Sequence, residues 1–347
     1  MATAAAATLK RVRSASLIDA IGLVLLSVFL LWLVVKFAED PTRFVNVAII
    51  GITTGAIYGV VALGYTLVYG ILQLINFAHG DVFALSGLVA STVIVSVLGM
   101  DEESTVIVII GGLLVTLAIT MPVFAVINAT IERVAYKPLR HAPRLAPLIT
   151  AVGVSFVVQN VSLAIYDVDF KSVPNFIPRT DAITIGDIAI QWNKLAVFFI
   201  VVPVLVLLTW FVRSTRQGKA MRAVAQDTEA SAMMGIDVNR TISVTFFIAG
   251  SLAAVAGLVY LLQFNMRYDT GFELGLIAFT AAVLGGIGNL TGAVLGAMAI
   301  GLVQALNEGL DGTPGSDWTR SIVFGILIAT LVFRPEGILG ERTPEGA

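Results

Sequence analysis

The chain has no cysteine and only two histidines, His79 and His141, among its 347 residues. Thiolate zinc sites, cysteine nucleophiles and histidine-cluster metal centres are thereby excluded. Charge is scarce too. Asp, Glu, Lys and Arg together make 13% of the chain, against about 25% in an ordinary soluble domain. Hydrophobic residues make 57%. So few charged groups cannot cover a globule of this size, and lipid is the expected solvent for most of its surface. The formal net charge of −2 gives no electrostatic case for nucleic-acid binding. The phosphate-loop pattern G-x-x-x-x-G-K-[ST] does not occur. The loops leave no room for a compact soluble domain, so any ATPase that drives this chain is another polypeptide.

What is present is a succession of apolar runs, near 17–36, 44–70, 81–98, 105–129, 147–166, 195–213, 241–262, 273–288, 291–308 and 319–333. A transmembrane helix needs about 20 apolar residues, which predicts an all-α polytopic membrane protein of about ten spans. The second run is too long for one upright span and must tilt or break. Its glycines 51, 55, 59 and 64 recur every four or five residues, the spacing of a close-packed helix seam. The eighth and ninth runs meet at Gly285-Gly286-Ile287-Gly288-Asn289 and read as a re-entrant pair or two short spans. Basic clusters at 10–13, 133–144 and 213–222 fall on one side when ten spans are counted. The positive-inside rule then places both termini in the cytoplasm. The organisation expected is a disordered cytoplasmic tail over 1–16, one transmembrane domain over 17–340 with a cytoplasmic loop at 214–240, and a C-terminal tail over 341–347.

Two polar stretches interrupt the pattern. The first is "GILQLINFAHGDVFALSG", 70–87. Gln73, Asn76 and His79 are three apart and would form a polar stripe on a helix. Gly80 suggests a turn, and Asp81 then reads as the N-cap of the next span. Two readings stand: a capped helix start beside a satisfied hairpin, or a polar elbow lining the cytoplasmic end of a pathway. Asp81 suits the first; Asn76 and His79 suit the second. Further pathway candidates are Thr53, Thr54, Tyr58, Ser155, Gln159 and Asn160. The competing role for the hydroxyls is a bond to the carbonyl one turn back; for the two amides it is a bond to a neighbouring helix. No run shows a clear charge in its middle. That argues against an ion-coupled pump with a carboxylate relay and suits a neutral or zwitterionic solute.

The second stretch is "RSTRQGKAMRAVAQDTEASAMMGIDVNRT", 213–241. Residues 220–225 favour a helix, Asp227 can cap a second short one, and Gly235 can stop it. Met233 and Met234 then form an adaptable apolar patch, for a partner or for the underside of the bundle.

Here the residues carry a resemblance. Glu229-Ala230-Ser231-Ala232-Met233-Met234-Gly235 resembles the "EAA-x-x-x-G" loop of ABC importer permeases, with Ser231 at a position usually Ala. "TTGAIYGVVALGYTLVYGILQLINFAHGDVFALSG" (53–87), "AVAQDTEASAMMGIDVNRTISVTFFIAGSLAAVAGLVY" (223–260), "GGIGNLTGAVLGA" (285–297) and "FRPEGILG" (333–340) resemble the first-type permease chain of branched-chain amino-acid ABC importers, in family order, over about 45–340. The resemblance implies a non-enzymatic transport subunit with no cofactor of its own, ATP and magnesium being held by partner ATPases. It implies two ATPase subunits, a second homologous permease chain and an extracytoplasmic binding protein. It makes 217–236 the ATPase-coupling loop, on which Arg222, Asp227, Glu229, Ala230, Met233, Met234 and Gly235 are the candidate residues. Relatives with the same elbow import urea or short amides, which leaves the solute class open. A channel or secondary carrier for small neutral solutes remains the rival from another class. An intramembrane enzyme would need a nucleophile and base, for which His79 and Asp81 are poorly spaced.

Overall fold

The computed structural model describes residues 22, 24, 27–140, 142–143, 145–178 and 180–340. Both expected tails, 1–16 and 341–347, lie outside them, as does the start of the first apolar run. Among the described residues, eight helices are long and apolar enough to cross a membrane. A ninth, of 16 residues, is shorter, and residues 27–39 are also helical (α1).

α2 (Pro41–Leu72) starts on a defined cap: Asp40 accepts the Arg43 amide at 2.9 Å, and Pro41 opens the first turn. Its 32 residues make a rod of about 48 Å, longer than a bilayer core of about 30 Å. The helix does not break, so it must tilt or protrude. α3 (Ala78–Thr92) runs on through a π-helical turn, Val93–Val97. α4 (Val106–Ile131) continues through a second such turn, Glu132–Tyr136, and a 3-10 turn, Lys137–Leu139. α5 is Leu145–Tyr166. A two-stranded antiparallel hairpin, β1 (Asp181–Ile185) and β2 (Ile188–Gln191), turns at Gly186. Then come α6 (Trp192–Ser214), α7 (Arg216–Gln226), α8 (Thr228–Met233), α9 (Val238–Leu261), α10 (Thr270–Gly285), α11 (Leu290–Gly309) and α12 (Ser316–Phe333). The double-glycine region therefore forms two helices joined by a tight turn.

The helices sort into two layers. α2, α3 and α9 are largely enclosed, whereas α4, α5, α6 and α12 have few buried residues and leave large apolar side chains exposed. Ile107, Ile149 and Phe199 are examples. Water would not tolerate so much exposed hydrocarbon, and a bilayer accounts for it. Small residues bring the inner helices together. A side chain on Gly55 would lie 2.6 Å from the Met298 Cα, and one on Gly51 2.7 Å from the Leu302 Cα. The expected glycine seam is thus the α2–α11 contact. Gly59 meets Ala297 more loosely, and Gly64 makes room for the His79 ring.

The two ends of the bundle differ. At one end Arg140 donates to Asn239, Tyr136 donates to Asn76, and Gly70 touches Gly288. This end gathers Arg133, Lys137, Arg213, Arg216, Lys219, Arg222 and Arg334. Here the C-terminal segment also folds back: the Ile338 and Leu339 amides donate to the Leu284 and Gly285 carbonyls at 2.8 and 3.0 Å, and Asn289 donates to the Leu339 carbonyl. "GGIGN" and "EGILG" thus meet as one structural unit. At the other end Arg43 pairs with Asp311, Arg320 with Glu273, and Lys171 with Asp169. This end carries most of the acidic residues.

Candidate functional site

Three polar features stand out: a protruding loop at the basic end, a buried polar layer beside it, and an open cavity at the acidic end.

The loop is two short helices held by three caps. Thr215 accepts the Gly218 amide at 3.0 Å, Asp227 the Ala230 amide at 2.8 Å and Asp237 the Arg240 amide at 2.9 Å. α7 buries Gly218, Met221 and Val224 against the bundle. Gly235 takes φ +83°, a left-handed conformation that ends α8 and sends the chain into α9. Of the α8 residues only Ser231 is buried, which gives a reason for a small side chain at that position. Glu229 is exposed. Met233 and Met234 are 82% and 83% exposed; they do not tuck under the bundle. Arg222 is exposed and donates to the Arg213 carbonyl at 3.3 Å. A pair of capped helices thus projects from the basic end with a bare methionine tip.

The elbow departs from its sequence reading in three ways. Gln73 is not on a helix with Asn76 and His79; it closes α2 at φ +52°, and residues 73–77 are non-helical. Gly80 is not a turn residue but lies inside α3, where a side chain would run into Gly271 and Gly275 of α10. Asp81 is not a cap. It is the fourth residue of α3, buried, and accepts from Ser155 and from Gln159 of α5, the latter at 3.0 Å. The cause is the path of the chain. His79 packs on Gly64, eight residues before the end of α2, or about 12 Å back along it. The chain therefore re-enters the bundle before α3 begins. Ser155 is ten residues into α5, about 15 Å deep. A carboxyl that looks terminal in the sequence lies well inside the protein, so the expected absence of intramembrane acids does not hold. Asp81→Ala is expected to cost about 1–3 kcal/mol of stability, because one buried and one part-buried donor lose their acceptor. Thermal unfolding of Asp81→Ala, Ser155→Ala and the double variant checks this; a helix-cap role would make the two losses additive.

The other elbow groups are enclosed. Asn76 accepts the Tyr136 hydroxyl at 2.7 Å, while its amide nitrogen has no partner among the described residues. The His79 ring is fully buried, stacks edge-on against Tyr65 at 4.9 Å, and its nitrogens make no hydrogen bond of good geometry. Thr53 bonds the Ile49 carbonyl at 2.8 Å, one turn back. Asn160 does the same with Phe156, on the exposed face of α5. Neither lines a passage within this chain. Ser155 and Gln159 belong with Asp81. Only Thr54 and Tyr58, of the sequence candidates, border the large cavity.

That cavity, of about 730 Å³, opens at the acidic end between α2, α10, α11 and α12. Ile50, Leu274, Ile277 and Ala305 give it an apolar part; Arg267, Asp269, Glu273, Glu308, Asp317 and Arg320 bring charge. Tyr58 donates to Gln304 at 2.9 Å, Gln304 to Glu308 at 3.2 Å, and Thr319 to Glu308 at 2.8 Å. Glu273, Glu308, Asp317 and Arg320 do not stand out in the sequence because each lies near a helix end, where charge is ordinary. The available signal was their number on one side of the bundle.

A family model described as branched-chain amino acid transport system, permease component, matches residues 47–331. The high-affinity branched-chain amino acid transport system permease protein BraD of Pseudomonas aeruginosa is 36% identical over 299 residues, covering 85% of this chain and 95% of that protein. LivH of Escherichia coli (strain K12), with the same description, is 37% identical over 317 residues, covering 89% and 99%. A probable LivH of Methanocaldococcus jannaschii is 25% identical over 291 residues, covering 80% and 87%.

Proposed function

This chain belongs to the branched-chain amino acid transport permease family, and from that premise we propose that it is the membrane-spanning subunit of an ATP-driven importer for branched-chain or related neutral amino acids. The observation that carries the coupling part is the projecting α7–α8 pair. Its caps fix its shape, and its tip leaves Met233, Met234 and Glu229 free for a partner. Two ATPase subunits supply the partner surface and hold ATP and magnesium. A second homologous permease chain completes the pathway, and an extracytoplasmic binding protein delivers solute. The basic end faces the cytoplasm of the inner membrane, with both termini on that side, in keeping with the bias of Lys and Arg.

Mechanically, closure of the ATPases would push on α7 and α8. α7 packs against α2, α6 and α9, so the push reaches helices that line both the buried polar layer and the cavity. Alternating access then requires partners that bind the two states with different affinity, and ATP-bound and ATP-free ATPases supply that difference.

The test is co-purification with the cognate ATPases and uptake in proteoliposomes. Glu229→Ala and Gly235→Pro are each expected to reduce ATPase retention and leucine uptake at least tenfold with normal membrane insertion. Proline cannot adopt the φ of Gly235, so that variant unseats the loop. Normal transport and normal ATPase stimulation in both variants would rule out the coupling role.

A further inference from the structure

We propose that the acidic-end cavity is the permease's own binding vestibule for a neutral α-amino acid, with Glu308 receiving the α-ammonium group. The proposal rests on the amino-acid reading above and adds to it a site within this chain.

The charges around the cavity are not all matched. Arg267 donates through Nε and Nη2 to the two oxygens of Asp269, at 2.7 and 2.6 Å. Arg320 holds Glu273 in the same two-point fashion. Glu308 has no cationic partner among the described residues. It also stands in the last turn of α11, where the helix dipole is negative and a carboxylate is disfavoured. Thr319 and Gln304 both donate to Oε1, which fixes the side chain and leaves Oε2 open. A cation arriving there would relieve an electrostatic mismatch that the chain itself leaves in place.

The rest of the cavity says what kind of cation. Ile50, Leu274, Ile277 and Ala305 offer an apolar wall on the same space, unsuited to a hydrated metal ion. Arg320 spends Nε and Nη2 on Glu273, and a guanidinium has further N–H donors at Nη1, free for a carboxylate. An ammonium site, a carboxylate site and an apolar wall in one cavity describe an α-amino acid with a hydrocarbon side chain. The volume of about 730 Å³ lies within the range of small-molecule sites.

An ammonium could also come from a lysine on the docked binding protein, and the test separates the two. The probe is leucine, with proteoliposomes holding the full importer. Glu308→Gln keeps the shape and removes the charge. Leucine carried per ATP hydrolysed is expected to fall at least tenfold. Equal falls in uptake and hydrolysis would assign Glu308 to docking or folding, and no change in uptake would dismiss it; either overturns the proposal. A second measurement needs no variant. Leucine and isoamylamine, which keep the ammonium, should raise the melting temperature of the wild-type complex more than isocaproate, which lacks it. Equal shifts for isocaproate and leucine would overturn the proposal. A wild-type complex that moves no leucine at all overturns the amino-acid reading itself, before any variant is compared.

Discussion

Gly301→Leu is expected to abolish a folded, monodisperse protein in mild detergent, whereas Gly111→Ala is expected to leave it intact. Both glycines are helical, and their difference is what faces them. A side chain at Gly301 would be driven into the Gly55 amide and the Gly51 carbonyl of α2. These are backbone atoms that cannot rotate away. Reciprocally, a side chain on Gly55 would lie 2.8 Å from the Ala297 carbonyl. The α2 and α11 backbones are therefore in direct contact, and even one methyl group must part them. Overpacking by a few atoms costs about 1–3 kcal/mol in an ordinary core; here it acts along a seam between two long helices, and the expected loss is at the upper end or beyond. At Gly111 an added side chain meets nothing within 4 Å, and alanine should gain up to about 1 kcal/mol of helix propensity. Size-exclusion profiles and melting temperatures of both variants check the pair. The seam also borders the proposed vestibule: α2 contributes Thr54 and Tyr58 to the cavity, and α11 contributes Gln304 and Glu308, so the contact that holds the two helices together also sets the cavity's shape.

That seam was legible in the sequence because glycine spacing is a local signal. Gly51 and Gly55 could be read as a packing face with no knowledge of the partner helix, although the partner, Gly301, could not be named. The outline of the 213–241 loop was legible for the same reason: Asp227 caps α8 and Gly235 ends it through local conformation and bonds that span three or four residues. Asp81 was not. Its partners Ser155 and Gln159 are more than 70 residues away, and its depth depends on the inward return of residues 73–77. A residue four places after a glycine-free turn looks like any helix start until the path of the chain is known. The cavity was illegible for a related reason. Glu273, Glu308 and Arg320 come from three helices, and each alone is an ordinary terminal charge. Their meeting depends on the approach of α10, α11 and α12 at one end, which no local pattern encodes. Thr53 and Asn160 show the converse error, since a polar residue within a span can spend its bond on its own helix.

The second large effect is expected at Glu132, which the sequence places at the edge of a basic cluster and the structure buries completely. Its carboxylate accepts from Arg140 and, at 2.6 Å, from the Ser243 hydroxyl; Arg140 also donates to Asn239. Three elements are tied together: the π-helical extension of α4, the 137–140 turn and the first turns of α9. Glu132→Ala leaves a guanidinium that is mostly buried and has lost its counter-charge, a situation that costs about 3–5 kcal/mol. The variant should melt far below wild type, or fail to accumulate. Arg140→Ala should also be severe, because it strands the carboxylate. The double variant strands neither charge, so it should be more stable than the sum of the two losses implies, with an interaction energy of about 1–3 kcal/mol. Additive losses would show that the pair is not a unit. The location makes this more than a stability test. α9 begins at Val238, three residues after Gly235, so the brace grips the helix into which the loop feeds. If α7 and α8 transmit force, they need a rigid root, and the Glu132–Arg140 pair braces that root. Glu132→Gln keeps a polar group for Ser243 but removes the charge. In protein that still folds, it should lower solute carried per ATP hydrolysed more than it lowers hydrolysis itself. A Glu132→Gln importer with an unchanged ratio would confine the brace to holding the fold.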